Sequence, residues 1–390
     1  MISRNIKGKL IEISSYFPVV TVTGPRQSGK TTLIKDAFPN LPYELLESPD
    51  KKALVMADPR AFLDKFPNGA ILDEVQNIPE LFSYLQGIVD DNPEIKFILS
   101  GSQNFLLLEK ITQTLAGRTG VMKLLPLSLV ELSNTSFYPK NVFEFIFKGG
   151  YPRLYNQKIP TEVFYSSYIQ TYVERDVRTI TNIGDLNTFQ TFLSLCAGRV
   201  GQILNVDSLA SDTGVTFNTA KKWLSILETS YIIRLLYPHH KNFNKRLIKS
   251  PKLYFLDTGL VSYLLRIKNT KQLENHFMRG ALFENFVINE LMKHRYNSAQ
   301  RDDLYYWRDK HGKEIDCIID RGEKLIPIEI KSGKTYTKDF FKGLNYWNKL
   351  SGQDPSESYV VYGGDLNEKL PQGNLISWDN LESLFTKMKE

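Results

Sequence analysis

From Val19 onward, short β-branched runs alternate with helical stretches. "FPVVTVTG", "GAILDEV" and "IKFILSGS" are apolar, of strand length, and each stops at a loop residue. Strands separated by helices predict a parallel α/β sheet over residues 1–127. The pattern changes at about Ser128: "TEVFYSSYIQTYVERDVRTI" spaces its apolar positions as a helix does, so a helical lid or connector is expected over 128–192. Over 193–270, "VDSLASDTGVTFNTAKKWLSILETS" reads as helix, glycine turn and helix, followed by the strands "YIIRLLYP" and "KLYFLD". That is the order of a winged helix-turn-helix. Residues 271–390 open with the helix "RGALFENFVINELMKHR". They continue with the strand-like runs "LYYWRD", "EIDCIID" and "LIPIEIKSG" and a helix around "TKDFFKGLNYWNKL", which predicts a second, separate α/β domain. No internal repeat is visible.

One strand breaks the apolar pattern. "LIPIEIKSG" carries Glu329 and Lys331 two residues apart, which alternation points to the same face. They form an ion pair or share a site.

Composition narrows the class without naming it. At 390 residues the chain suits two or three domains of about 150 residues each. The 20 Tyr and 23 Phe exclude a disordered chain. A net charge of +6 favours an anionic partner: nucleotide, nucleic acid or acidic membrane. Cys196 and Cys317 lack any CxxC spacing, which argues against a zinc site or a disulfide framework and for a reducing compartment. The first twenty residues hold no signal-peptide core, and no run approaches the ~20 apolar residues of a membrane span. A cytoplasmic protein without membrane contact is expected. The five histidines show no metal-ligand spacing.

The sharpest motif is "GPRQSGKT", Gly24 to Thr31, between the strand "VVTVT" and the helical "TLIKDAF", which is the context of the Walker A pattern GxxxxGK[ST]. Gly24, Pro25, Arg26, Gln27, Ser28 and Gly29 would wrap phosphates with backbone amides, aided by the dipole of the following helix that carries Thr32. Lys30 would contact the β- and γ-phosphates, and Thr31 would ligate Mg²⁺. "AILDEVQ" has Walker B form: Asp73 would hold the Mg²⁺ shell and Glu74 would position the attacking water. "IKFILSGSQ" ends in Ser100 and Ser102, either of which suits a polar sensor of the γ-phosphate.

"TVTGPRQSGKTTL", "AILDEVQNIPEL", "FILSGSQNFLL" and "LAGRTGVMKLLPLSLVEL", in this order, resemble the prokaryotic AAA+ family ATPases that carry a C-terminal domain of unknown function. The resemblance covers nearly the whole chain. It implies an AAA+ fold for the first half, ATP hydrolysis, and homo-oligomers in which an arginine reaches the neighbour's γ-phosphate. Arg118 is the first candidate for that finger and Arg175 the second.

In the middle segment Asn218, Thr219, Lys221 and Lys222 would lie near the exposed start of the second helix, with Trp223, Leu224 and Leu227 facing the core. "KNFNKRLIKSPK" places five basic residues and no acid where a wing would be, which suits contact with DNA phosphates. The same elements also serve as protein-interaction modules.

Further on, Asp316 in "EIDCIID" precedes Glu329 by thirteen positions, with a hairpin between them. Carboxylates brought together repel unless a cation sits between them, so Mg²⁺ or Mn²⁺ ligation is expected, with Lys331 stabilising a pentavalent phosphate. The order helix-Glu284, strand-Asp316, strand-Glu329-x-Lys331 resembles the PD-(D/E)XK nuclease core. That resemblance implies Glu284, Asp316 and Glu329 as metal ligands and phosphodiester hydrolysis as the chemistry; the family's usual proline before the first aspartate is replaced by Ile315. The leading expectation is an Mg²⁺-dependent ATPase acting on nucleic acid. The rival is an ATP-controlled oligomerising switch that binds DNA or a protein without cutting, while no acceptor pocket supports a metabolic kinase.

Overall fold

The computed structural model describes residues 2–101, 113–173, 186–240 and 249–387. Ser102, Arg175 and the wing residues Lys241, Lys245 and Arg246 lie outside the described residues.

Five strands, β1 (Val19–Thr23), β2 (Tyr43–Leu45), β3 (Ile71–Asp73), β4 (Phe97–Gly101) and β5 (Thr119–Lys123), form a parallel sheet in the order β2-β3-β4-β1-β5. Every residue of β1 is buried, as expected of a parallel strand covered on both faces by helices. The order puts β4 between the strand that leads into the glycine loop and the strand that ends in Asp73. Registers Val22↔Ser100 and Ser100↔Asp73 then align the three strand ends.

The middle region is mostly helical. Helix Val206–Thr213 ends on Gly214 in the left-handed conformation, φ 77°, and helix Phe217–Thr229 follows under a Thr216 cap. Strands β6 (Ile233–Leu236) and β7 (Lys252–Phe255) pair antiparallel. Trp223 packs edge-on against Phe189 and Phe192, and Leu224 and Leu227 are buried beside it.

The last region is a six-stranded mixed sheet: β8 (Leu304–Arg308), β9 (Glu314–Asp320), β10 (Leu325–Lys331), β11 (Tyr359–Tyr362), β12 (Glu368–Leu370) and β13 (Gly373–Ser377), in the order β12-β13-β11-β10-β9-β8. β10 pairs antiparallel with β9 and parallel with β11. The three strands from Tyr359 onward were not expected from the hydrophobic pattern.

The later segments, expected to be separate, share their packing. One apolar core runs through Leu127, Phe145, Tyr165, Phe192, Trp223, Phe255, Phe286, Cys317 and Ile328. Its centre is helix Arg279–Asn297, which is buried along most of its length. Asp257, at the start of helix Thr258–Leu264, ties this core together by accepting from Gly150 N, Tyr165 Oη and Leu260 N at 2.7–2.9 Å.

Candidate functional sites

The loop after β1 is shaped by two glycines. Gly24 has φ 148°, and a Cβ there would stand 2.1 Å from Leu124 O; Gly29 has φ 94°. Only glycine meets both demands. Lys30 is buried and folds back, donating from Nζ to Gly24 O and Pro25 O, each at 2.9 Å. Ser28 Oγ is buried without a hydrogen-bond partner among the described residues, and the first amides of helix Lys30–Ala37 open toward the loop as all helix starts do. A phosphate fits this set: it would supply the acceptors that Ser28 and the amides call for.

Asp73 completes the site. Its Oδ2 accepts from Thr31 Oγ1 at 2.7 Å and from Tyr43 Oη at 2.8 Å, and its Oδ1 accepts from Ser100 Oγ and, at 3.1 Å, from Glu74 N. Hydroxyls around a carboxylate leave its charge in place, which suits a Mg²⁺ ion held by Thr31 and Asp73. Burial, together with the Asp73 charge, pushes the Tyr43 phenol far above its ordinary value. Glu74 sits at φ 57°, a conformation that costs a non-glycine residue about 1–2 kcal/mol, and Gln76 Nε2 hydrogen-bonds its Oε2.

Three contacts had no sequence signal. Tyr43 reaches Asp73 from an edge strand. Arg4 donates to Ser28 O at 2.8 Å, to Leu125 O at 2.6 Å and to Glu131 Oε1 at 3.0 Å, bracing the loop from outside. Tyr231 Oη lies 2.8 Å from Thr23 Oγ1, both buried, one residue before Gly24. Arg118 stands at the start of β5, across the sheet from the loop, where Nε and Nη2 meet Asp90 at 2.5 and 2.8 Å. It does not reach the site of its own chain, so a finger role would require a neighbouring copy.

In the middle region Asn218, Lys221 and Lys222 are exposed and Thr219 is half-buried. Lys249 is exposed, but Lys252 is buried.

The later carboxylates do converge. Lys331 Nζ pairs with Glu329 Oε2 and lies 3.4 Å from Asp316 Oδ2, which also accepts from Ile330 N at 2.7 Å. Glu284 takes different partners: Lys252 Nζ at 3.0 Å and Tyr254 Oη. Burial and Asp316 hold Glu329 well above the usual carboxylate range, and burial also raises Glu284. Against the effect of burial, Lys331 and Lys252 keep Asp316 low. No three acidic, His or Cys side chains among the described residues form a group that could hold a metal. Asp316 and Glu329 meet around Lys331, Glu284 stands with Lys252 and Tyr254 instead, and ammonium groups stand where the ion was anticipated.

A mononucleotide loop, a hydroxyl-wrapped strand-end aspartate and a five-stranded parallel sheet define a P-loop ATPase. An AAA domain matches residues 16–133, and two domains of unknown function, DUF8612 and DUF4143, match 139–271 and 279–381. Uncharacterized proteins of Mycobacterium tuberculosis and Mycobacterium bovis are each 30% identical over 386 residues, covering 95% of this chain and 84% of theirs. The chain belongs to their family, and its AAA domain makes it a P-loop ATPase. Among solved structures it is similar to a Walker-type ATPase of Pyrococcus abyssi: TM-score 0.48, 17% identity, 68% of this chain and 96% of that one. No helix among the described residues is long and apolar enough to cross a membrane.

Proposed function

We propose that the protein is a Mg²⁺-dependent ATPase whose turnover controls engagement of nucleic acid by the middle region, acting as a homo-oligomer. The observation that carries this reading is the Tyr231–Thr23 hydrogen bond, because it joins the turn after helix Phe217–Thr229 to the strand end that bears the phosphate loop. Lys30 would leave Gly24 O and Pro25 O for the β- and γ-phosphates, and Glu74 would orient the attacking water. A Mg²⁺ ion bound by Thr31 and Asp73 would neutralise the developing phosphate charge. Ser100, hydrogen-bonded to Asp73, would report the state of that carboxylate. Arg118 stays the candidate finger toward a second copy.

The helix start with Asn218, Lys221 and Lys222 supports a winged helix-turn-helix addressing DNA. Each phosphate-binding lysine replaced by alanine should reduce the salt dependence of binding by about one unit of slope. The test measures ATP hydrolysis and duplex-DNA anisotropy on the parent, Lys30→Ala, and Lys221→Ala/Lys222→Ala. Hydrolysis by Lys30→Ala at the parent rate sinks the ATPase assignment of this loop. DNA affinity that neither the double variant nor salt alters sinks the nucleic-acid reading.

For the C-terminal region, the lysines lodged among Glu284, Asp316 and Glu329 favour the switch that binds without cutting. Metal-dependent DNA cleavage by the parent that disappears in Glu329→Ala/Lys331→Ala would restore the PD-(D/E)XK nuclease reading.

A further inference from the structure

Between β5 and helix Leu129–Leu132, residues Leu124 to Ser128 are buried and belong to no regular element. Backbone buried in this way must find its hydrogen bonds outside a ladder or a helix. Leu124 N donates to Thr23 O at 2.8 Å, and Leu127 N donates to Gly150 O at 2.7 Å. Side chains from both ends of the chain answer further groups. Arg4 reaches Leu125 O at 2.6 Å, and Lys293 Nζ, from the long helix Arg279–Asn297, reaches Leu127 O at 2.9 Å. One turn earlier on that helix, Glu290 accepts from Leu129 N at 2.8 Å through Oε2 and pairs with Lys293 at 2.9 Å through Oε1. The two side chains are 1% and 6% exposed.

This segment is the wall against which the phosphate loop closes. A Cβ on Gly24 would stand 2.1 Å from Leu124 O, and Arg4 spans loop and wall by donating to Ser28 O at 2.8 Å as well as to Leu125 O. Loop and wall therefore meet at Gly24 and again through Arg4 at Ser28. A wall displaced by about 1 Å would carry the loop amides out of line with bound phosphates.

We propose that Glu290 and Lys293 are positioning residues for ATP: through Leu129 N and Leu127 O they fix the wall of the phosphate loop, which makes the long helix of the C-terminal region a working part of the ATPase site. This role rests on the ATPase reading of the loop, and the test tells the failure of one from the failure of the other.

Full-length parent, Glu290→Gln/Lys293→Met and Lys252→Met are compared with Mg²⁺ present, at a temperature where all three are folded. A fluorescent ATP analogue reads affinity, and phosphate release reads KM and kcat. The double variant removes both charges together, so no buried ion is left unpaired. It should bind the analogue at least about tenfold more weakly, with KM raised to match. A protein that is merely less stable loses active molecules, which lowers kcat and leaves KM unchanged. Lys252→Met, which loses a buried cation paired with Glu284 and Glu314, should therefore keep the parent's KM. Affinity and KM of the double variant within about twofold of the parent overturn the role, as does an equal rise of KM in Lys252→Met. A parent that neither binds nor hydrolyses ATP overturns the ATPase reading, and the role falls with it. If the double variant does not fold, Glu290→Gln alone decides: it keeps the side-chain outline but loses the charge facing Lys293, and should weaken binding at least about threefold, whereas unchanged affinity overturns the role.

Discussion

Asp73 and Asp316 both belong to strands and both have acids close by in the chain or the sheet, yet their surroundings oppose each other. Around Asp73 the described donors are three hydroxyls and one amide, from Thr31, Tyr43, Ser100 and Glu74. Around Asp316 and its neighbours stand the ammonium groups of Lys331 and Lys252. Neutral donors orient a carboxylate without cancelling its charge, which is what the metal-binding role proposed for Asp73 requires. Ammonium groups cancel the charge and hold the chain together, so the C-terminal cluster is spent on joining regions. What distinguishes a ligand from a structural ion pair is the charge of the donors, not the acid itself.

The largest effect that would break this contrast is on turnover. Asp73→Asn keeps the hydrogen-bonding outline but removes the charge, and should lower steady-state phosphate release by about 10²–10³, with unchanged circular dichroism. Activity near the parent level would make Asp73 a structural acid like Asp316. Next in size, Lys252→Met removes the buried cation shared by the partly buried Glu284 and Glu314, leaving Glu314 with Arg308 and Glu284 with the Tyr254 hydroxyl. It should cost about 3–5 kcal/mol of stability, read by urea unfolding, whereas a surface-like loss below about 1 kcal/mol would show that these ion pairs do not hold the regions together.

Glu329 sharpens the comparison through pH. Its folded value lies well above the ordinary 4.5, first from burial and then from Asp316. The native state therefore holds this proton more tightly than the unfolded chain. The stabilisation is full below about 4.5 and is lost as pH rises toward the folded value. Glu329→Gln should flatten that decline in a series of melting curves, and an unchanged slope would show that Glu329 is not its source. The smallest expected change is at Tyr43→Phe, which deletes one donor to Asp73 and should cost about 1 kcal/mol while leaving nucleotide affinity within a few-fold. Arg118→Ala acts on assembly instead: ATP turnover per chain should lose its dependence on protein concentration.

The phosphate loop was legible because eight consecutive residues make it, with strand before and helix after. Its turn is set by the glycines of the motif itself, while Arg4 braces it from outside. The helix pair around Gly214 and the shared face of Glu329 and Lys331 were legible for the same reason, since both follow from local periodicity. The strands from Tyr359 onward were missed because they are short, and β12 is largely exposed.

By itself the sequence determined a nucleotide loop, an acid-ended strand, and a charged pair on one face of β10, while the fold put β4 between the first two. Tertiary structure alone decided who answers those charges. Arg4 reaches Glu131 across 127 positions, Tyr231 reaches Thr23 across 208, and Lys252 reaches Glu284 across 32. A buried charge must find a partner wherever the fold brings one, and such partners leave no period in the chain. A lysine in a basic run reads as solvent-facing or phosphate-binding until packing shows it at 3% exposure among carboxylates.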